Sequence, residues 1–190
     1  MSQVFISHSK RDEDIRSFFD SISAGRTIRS VRVEFDEYRP PAVEYINQEI
    51  LASEAIFVLL GPNVTFNEYT INWIAYEVGV ASALGKEIWV FEPFNSNISY
   101  PIPMLHHYVL YDLNNELSRS YINGIVAEFE KWPLFRRFPS GVSPVECPYE
   151  NCKITFVLHS RAPSFKCPAC RQVIVLEEND IVTSTGRIFS

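Results

Sequence analysis

One acidic residue among apolar neighbours and four closely spaced cysteines are the parts of this chain equipped for chemistry. Wound at roughly 3.6 residues per turn, residues 72–84 (NWIAYEVGVASAL) place Trp73, Glu77, Val80 and Leu84 on one stripe and Ile74, Val78 and Ala81 on the next. An ionised carboxylate buried there without a partner is costly or shifts its pKa, so Glu77 needs a cation beside it, a cleft, or a task. Spacing alone leaves two readings open: an edge residue paired with a lysine or arginine, and a functional carboxylate facing a crevice.

Cys147, Cys152, Cys167 and Cys170 follow a C-x4-C-x14-C-x2-C pattern, and the 146 residues before them hold no cysteine. Two short pairs on turns can close a tetrahedral Zn–S4 site. With thiolates in all four positions none is left for water, which makes such a metal structural. The pattern resembles a zinc ribbon, with a hairpin of residues 153–158 and 164–166 between the pairs. Free cysteines or disulfides are the alternatives, but a module this small needs a staple to fold. The turn-rich stretch PSGVSP at 139–144 divides the chain into an expected main domain at 1–138, a linker at 139–145, and a zinc ribbon with its tail at 146–190. Lys153, Arg161, Lys166 and Arg171 make the ribbon mildly basic, and Phe156 and Phe165 suit either base stacking or the filling of a tiny core. Its expected ligand is accordingly a protein or nucleic-acid trigger.

The elements that position these residues can be traced in order. A short β-type run at 2–7 breaks at Ser7-His8-Ser9; a helix follows with Ser9 as N-cap, Asp12 and Glu13 in its first turn, and Ile15, Phe18, Phe19 and Ile22 on its buried face. A second strand at 31–35 leads into Asp36-Glu37-Tyr38-Arg39-Pro40-Pro41, then a helix at 42–53 with Val43, Ile46, Ile50 and Leu51 at helical spacing. Residues 55–60 form an unbroken apolar run stopped by Gly61-Pro62-Asn63, as in a strand covered on both faces. The Glu77 helix comes next, then strands at 87–91 and 107–111 separated by a proline-rich segment at 93–103. A helix at 113–131 completes the set, its expected stripe being Leu117, Tyr121, Ile125, Phe129 and Trp132. Strands alternating with helices predict an α/β domain: a five-stranded parallel sheet in the flavodoxin-like order 2-1-3-4-5, flanked by helices, with the small β-rich ribbon appended. In that order the crevice lies outside the carboxyl ends of the first and third strands, which is where the Glu77 helix begins.

Bulk properties narrow the setting. A net charge of −6 offers no general attraction for nucleic acid or anionic membrane, and 46% hydrophobic residues support a globular core. The longest apolar runs are too short to span a bilayer and the N-terminus lacks the layout of a signal peptide, so a soluble, cytoplasmic protein without membrane contact is expected.

Together, VFISHS at 4–9, Asp14-Ile15, VEFD at 33–36, AIFVLLGPN at 55–63 and WIAYE at 73–77 resemble a Toll/interleukin-1 receptor (TIR) domain over about residues 1–132, the Trp-x-x-x-Glu step being the most telling piece. That family comprises self-associating signalling adaptors and enzymes that cleave NAD+ at the nicotinamide–ribose bond. In the enzymes the glutamate of the third helix is catalytic, a role the resemblance carries onto Glu77. One carboxylate suits the chemistry: the transition state is oxocarbenium-like, and the cationic nicotinamide leaves neutral without being protonated.

The resemblance further implies NAD+ contacts at His8 and Lys10; in addition the Arg39 guanidinium suits a pyrophosphate, and Trp73, one turn before Glu77 on the same face, suits an apolar wall that excludes water. His8 also reads as a satisfied loop histidine, Lys10 and Arg39 as surface charges, and Trp73 as a core residue. Two prolines stand where many family members carry Pro-Gly in the self-association loop. The expected function is NAD+ glycohydrolase or cyclase activity of the prokaryotic type, in antiviral defence or stress signalling, with self-association through TIR surfaces and structural zinc. A non-catalytic assembly module and a receptor for a nucleotide signal are the alternatives.

Overall fold

Runs that are apolar at every position become strands buried on both faces. In the computed structural model, which describes residues 2–33, 43–139, 144–160, 162–177, 180–183 and 188–189, β1 (Gln3–His8), β2 (Arg29–Val31), β3 (Ala55–Leu59), β4 (Glu87–Pro93) and β5 (His107–Tyr111) pair in parallel in the order β2-β1-β3-β4-β5. The strand expected at 31–35 begins two residues earlier; residues 34–42, with Arg39 and the proline pair, lie outside the described residues.

Alternation along these strands divides the interior in two. Val4, Ile6, Phe57, Leu59, Trp89, Phe91 and Val109 face α1 (Glu13–Ser23) and α4 (Glu116–Glu128), whose Ile15, Phe19, Ile122, Ile125, Val126 and Phe129 complete that layer. Phe5, Ile56, Val58, Ile88, Val90 and Tyr108 face the opposite way, toward α2 (Val43–Ala52) and α3 (Glu68–Ala83). Because side chains alternate with a period of two, Ser7 shares the α3 side with Phe5.

Three local expectations are corrected. The first helix starts at Glu13, not after Ser9, because Asp12 turns its carboxylate to the loop beyond β3 instead of capping its own helix. α3 starts at Glu68, where the Asn67 side chain accepts a bond from the Tyr69 amide, so Glu77 lies in mid-helix; the helix closes on Gly85 at φ +65°, the left-handed conformation glycine adopts freely. On α4 the buried face is Ile122, Ile125, Val126 and Phe129, whereas Leu117 is exposed and Trp132, also exposed, lies beyond the helix end.

Among the described residues the sheet has seven strands, not five. β6 (Pro144–Glu146) and β7 (Thr155–His159) continue it, β7 lying parallel to β5 with Tyr108 opposite Leu158, and β6 antiparallel to β7. Pro144 and Val145, at the end of the stretch expected to be a linker, are therefore part of the sheet. Left bare, β5 would present an unpaired edge; β7 covers it and places Phe156 and Leu158 beside Tyr108, with Phe156 and Tyr108 in edge contact at 5.8 Å. The expected hairpin of 153–158 with 164–166 is replaced by a second, antiparallel sheet: β8 (Ser164–Lys166), β9 (Val173–Glu177), β10 (Asp180–Thr183) and β11 (Ile188–Phe189). No helix among the described residues is long and apolar enough to cross a membrane.

Candidate active site and metal centre

Glu77 faces inward from α3 and is 3% exposed, against the carboxyl end of β1. Its Oε2 accepts a 2.5 Å hydrogen bond from the Ser7 hydroxyl, and no cation among the described residues forms an ion pair with it. Burial raises the Glu77 carboxyl from 4.5 to about 8, the Ser7 hydroxyl pulling the other way. The edge-paired reading required a lysine or arginine; among the described residues the partner is a serine. The crevice floor expected from strand order is closed over in this structure.

Two aromatic groups frame the carboxylate's helix. Trp73 is half-buried against the core and meets Tyr69 and Tyr76 edge-on at 6.0 and 5.5 Å, forming an aromatic row along α3. Tyr100, from the segment between β4 and β5, is 6% exposed; its hydroxyl donates to the Ile71 carbonyl of α3, and burial together with the Glu77 charge pushes that hydroxyl up to about 12. His8, next to Ser7 at the end of β1, is half-buried, and Lys10 is exposed on the following turn. Thus Glu77, Ser7 and Tyr100 gather on one face of the sheet, while Lys10 is exposed in the turn after β1, its carbonyl accepting from Arg16 of α1.

A second polar cluster occupies the other face. Asp12 Oδ1 accepts from the Asn63 backbone amide at 3.0 Å and its side-chain amide at 2.8 Å, tying the loop after β1 to the loop after β3. Gly61 makes this possible, since a Cβ there would lie 2.2 Å from the Asp12 carboxyl carbon. Asp12, Gly61, Asn63, Asn95, Tyr111 and Asn114 line a cleft of about 540 Å³ at the carboxyl ends of the strands. Glu77 is not among its lining residues.

The four cysteine sulfurs lie within 4.8 Å of one another, with Cys147 to Cys170 at 3.7 Å and Cys152 to Cys167 at 3.8 Å. A tetrahedron of ~2.3 Å Zn–S bonds has edges of about 3.8 Å, so the arrangement can hold a metal ion such as zinc. Each pair turns in the same manner: Lys153 and Arg171, directly after Cys152 and Cys170, adopt φ +52° and +62°. Such left-handed residues are uncommon for side chains of this size and persist where surroundings fix them. Burial pushes the Cys147 thiol up to about 12 and raises Cys167 as well, so metal uptake displaces protons from these sulfurs.

Arg171 is not part of a free basic patch. Its guanidinium forks onto Glu92 at the end of β4, at 2.7 and 2.9 Å, while Glu92 also accepts from Tyr108 at 2.7 Å and from Ser96. Phe156 and Phe165 are 2% and 6% exposed, which assigns them to the core and not to base stacking. Lys153 and Lys166 remain exposed, and Arg161 lies outside the described residues.

No protein-family model and no curated protein matches this chain. Among solved structures it is similar to a 2-desoxiribosyltransferase from Leishmania mexicana, at 22% identity over 48% of this chain and 64% of that one, with a TM-score of 0.34. The chain thus spans less than two thirds of that structure's length. A likeness of this size decides nothing about activity, which has to be read from the site.

Sequence pattern had pointed to Glu77 and the cysteines but not to Tyr100, Asp12 as a loop lock, or the Glu92–Arg171 pair. For Tyr100 a signal exists: Ile98, Tyr100 and Ile102 alternate with Ser99, Pro101 and Pro103, the mark of an extended segment with one buried side. The prolines mask that signal, since they mark a connection as readily as an extended run. For Glu92–Arg171, 79 residues apart, no local pattern exists.

Proposed function

We propose that this chain is an NAD+-cleaving enzyme acting at the nicotinamide–ribose bond, with Glu77 as the catalytic carboxylate. The observation that carries the reading is the Glu77 carboxyl itself: buried, hydrogen-bonded to a serine and to no cation among the described residues, and held at the carboxyl end of β1. A strongly perturbed acid in such a position is costly to keep without a task. The sequence resemblance to TIR enzymes, with Glu77 at the matching step, supports the same role.

The burial that raises the Glu77 pKa is suited to a cationic substrate. At pH 7 in the closed site the carboxyl is predominantly protonated. A nicotinamide riboside cation placed beside it favours the carboxylate and expels that proton. As the C1′–N bond breaks, its electron pair moves to the ring nitrogen and nicotinamide leaves neutral. Positive charge accumulates on the ribose, where the Glu77 carboxylate opposes it, and a water or an acceptor hydroxyl adds to C1′ with loss of its proton. The Ser7 hydroxyl orients the carboxylate by donating to Oε2.

Since Glu77 is 3% exposed, substrate entry requires an opened form of the site, and self-association is the proposed route to it. The test is nicotinamide release from NAD+ by the wild-type protein and by Glu77→Gln. Equal release by both would remove Glu77 from the chemistry, and binding of NAD+ without turnover would favour a receptor. For the cysteine centre the proposed metal is structural zinc.

A further inference from the structure

We infer that Tyr100 is a positioning residue of the Glu77 site and that the four-cysteine knuckle holds Tyr100 in place, so that metal binding in the knuckle governs how tightly the carboxylate is enclosed. The inference rests on the reading of Glu77 as the reacting group.

The segment from β4 to β5 turns at Phe94 and Asn95 and then alternates buried Ile98, Tyr100 and Ile102 with exposed neighbours, Pro101 and Pro103 fixing their own φ and biasing the residues before them away from helix. Its inward residues Ile98, Tyr100 and Ile102 join the same buried cluster as Ile74 and Val78 of α3 and as Cys147, Cys167 and Phe165. The segment is bonded to α3 through the Tyr100 hydroxyl, which donates to the Ile71 carbonyl, and to the cysteine loop through Ile102.

Both ends of the segment are fastened to one knuckle. At the near end Glu92, which also receives the Ser96 hydroxyl, takes the forked guanidinium of Arg171, the residue directly after Cys170. At the far end the Ile102 amide donates at 2.7 Å to the carbonyl of Pro168, which sits between Cys167 and Cys170. A connecting segment pinned at Glu92 and Ser96 and again at Ile102 leaves Tyr100 little freedom to move. The left-handed turn at Arg171 that aims this clamp is closed by the Arg171 amide on the Cys167 carbonyl at 2.9 Å and by the Cys167 amide on the Gln172 carbonyl at 2.8 Å, and its two ends carry metal-binding sulfurs, so losing the metal loosens the turn and with it both pins.

The test uses the full chain without substrate, zinc-loaded and after chelation, with two readouts: amide exchange at Ile102 and the titration midpoint of the Glu77 carboxyl followed by carbon NMR. Tyr100 is the titratable group facing Glu77 from the segment, and Ser7 faces it from β1. Chelation is expected to speed Ile102 exchange at least about tenfold. It is also expected to move the Glu77 midpoint down from about 8 by about one pH unit or more as water reaches it. Unchanged exchange and midpoint would overturn the inference. Should α1 and α4 also lose protection on chelation, the paired variant Glu92→Gln/Arg171→Gln decides with the metal still bound: faster Ile102 exchange upholds the coupling, and unchanged exchange overturns it.

Tyr100 is tested by Tyr100→Ala, expected to lower the midpoint, and Tyr100→Phe, expected to restore most of it; three equal midpoints refute the positioning role. Nicotinamide release enters none of these readouts. Absence of release with a responsive Glu77 would sink the NAD+ reading alone, and release with an unresponsive Glu77 would sink the coupling alone.

Discussion

Glu77→Gln is expected to make the protein more stable, by an amount that grows with pH. The folded carboxyl releases its proton near pH 8 and the unfolded one near 4.5, so between those values the folded state holds a proton that the unfolded state has lost. Stability therefore falls as pH rises through that window and is flat outside it with respect to this group. At about 1.4 kcal/mol per pH unit, the gap from 4.5 to about 8 corresponds to at most about 5 kcal/mol above pH 8. Glutamine has nearly the same shape and can still accept the Ser7 hydroxyl, while carrying no charge to bury. Urea denaturation of both proteins from pH 4 to pH 9 measures the difference directly, and the subtraction cancels every other titrating group. The two should agree within about 1 kcal/mol near pH 4 and diverge to several kcal/mol by pH 9. A difference independent of pH would show that folding does not raise the Glu77 pKa, and a variant less stable than wild type throughout would show that the fold stabilises the carboxylate; either result would mean that the site has been misread.

Other outcomes follow from the same geometry. kcat/KM for NAD+ should rise with pH and level off near 8, since free enzyme must lose the Glu77 proton before it opposes positive charge; a profile flat from pH 6 to 9 contradicts this. Metal analysis should give about one zinc per chain, and Cys167→Ser should abolish binding and cost several kcal/mol of stability measured by denaturation. Burial lowers His107 to about 3, with His159 and His106 adding to the effect, and burial lowers His159 to about 4. Both groups lie below the unfolded value of 6.5, so their contribution to stability should be full above pH 6.5 and be lost as pH drops toward 4; His159→Gln should flatten that acid limb. Gly61→Ala should destabilise by about 1–3 kcal/mol, because the new methyl meets the Asp12 carboxylate that joins two loops.

Much of the parallel sheet could be read in the chain because its strands are continuous apolar runs bounded by Gly, Pro and Asn, and residues 55–63 show this most plainly. Glu77 was legible for the opposite reason, as a charge interrupting a helical stripe. The cysteines declared themselves by spacing. What spacing could not convey is partnership across distance: β7 reads equally well as half of a ribbon hairpin or as a sixth strand, and only the open edge of β5 decides between them. Arg171 looked like part of a basic surface because nothing near it in sequence is acidic, yet its partner is Glu92. Ser7 is one serine among many until β1's register turns it toward α3. Trp132 and Leu117 fit a helical period, but the period does not say which face meets the sheet.

The enzymatic reading stands or falls on nicotinamide release from NAD+, followed across a range of protein concentrations with zinc-loaded wild type beside Glu77→Gln. Release by wild type that increases more than in proportion to protein concentration, with loss in the variant, is the expected result. Release at the same rate from both proteins, or none from wild type even when it is assembled, would contradict it.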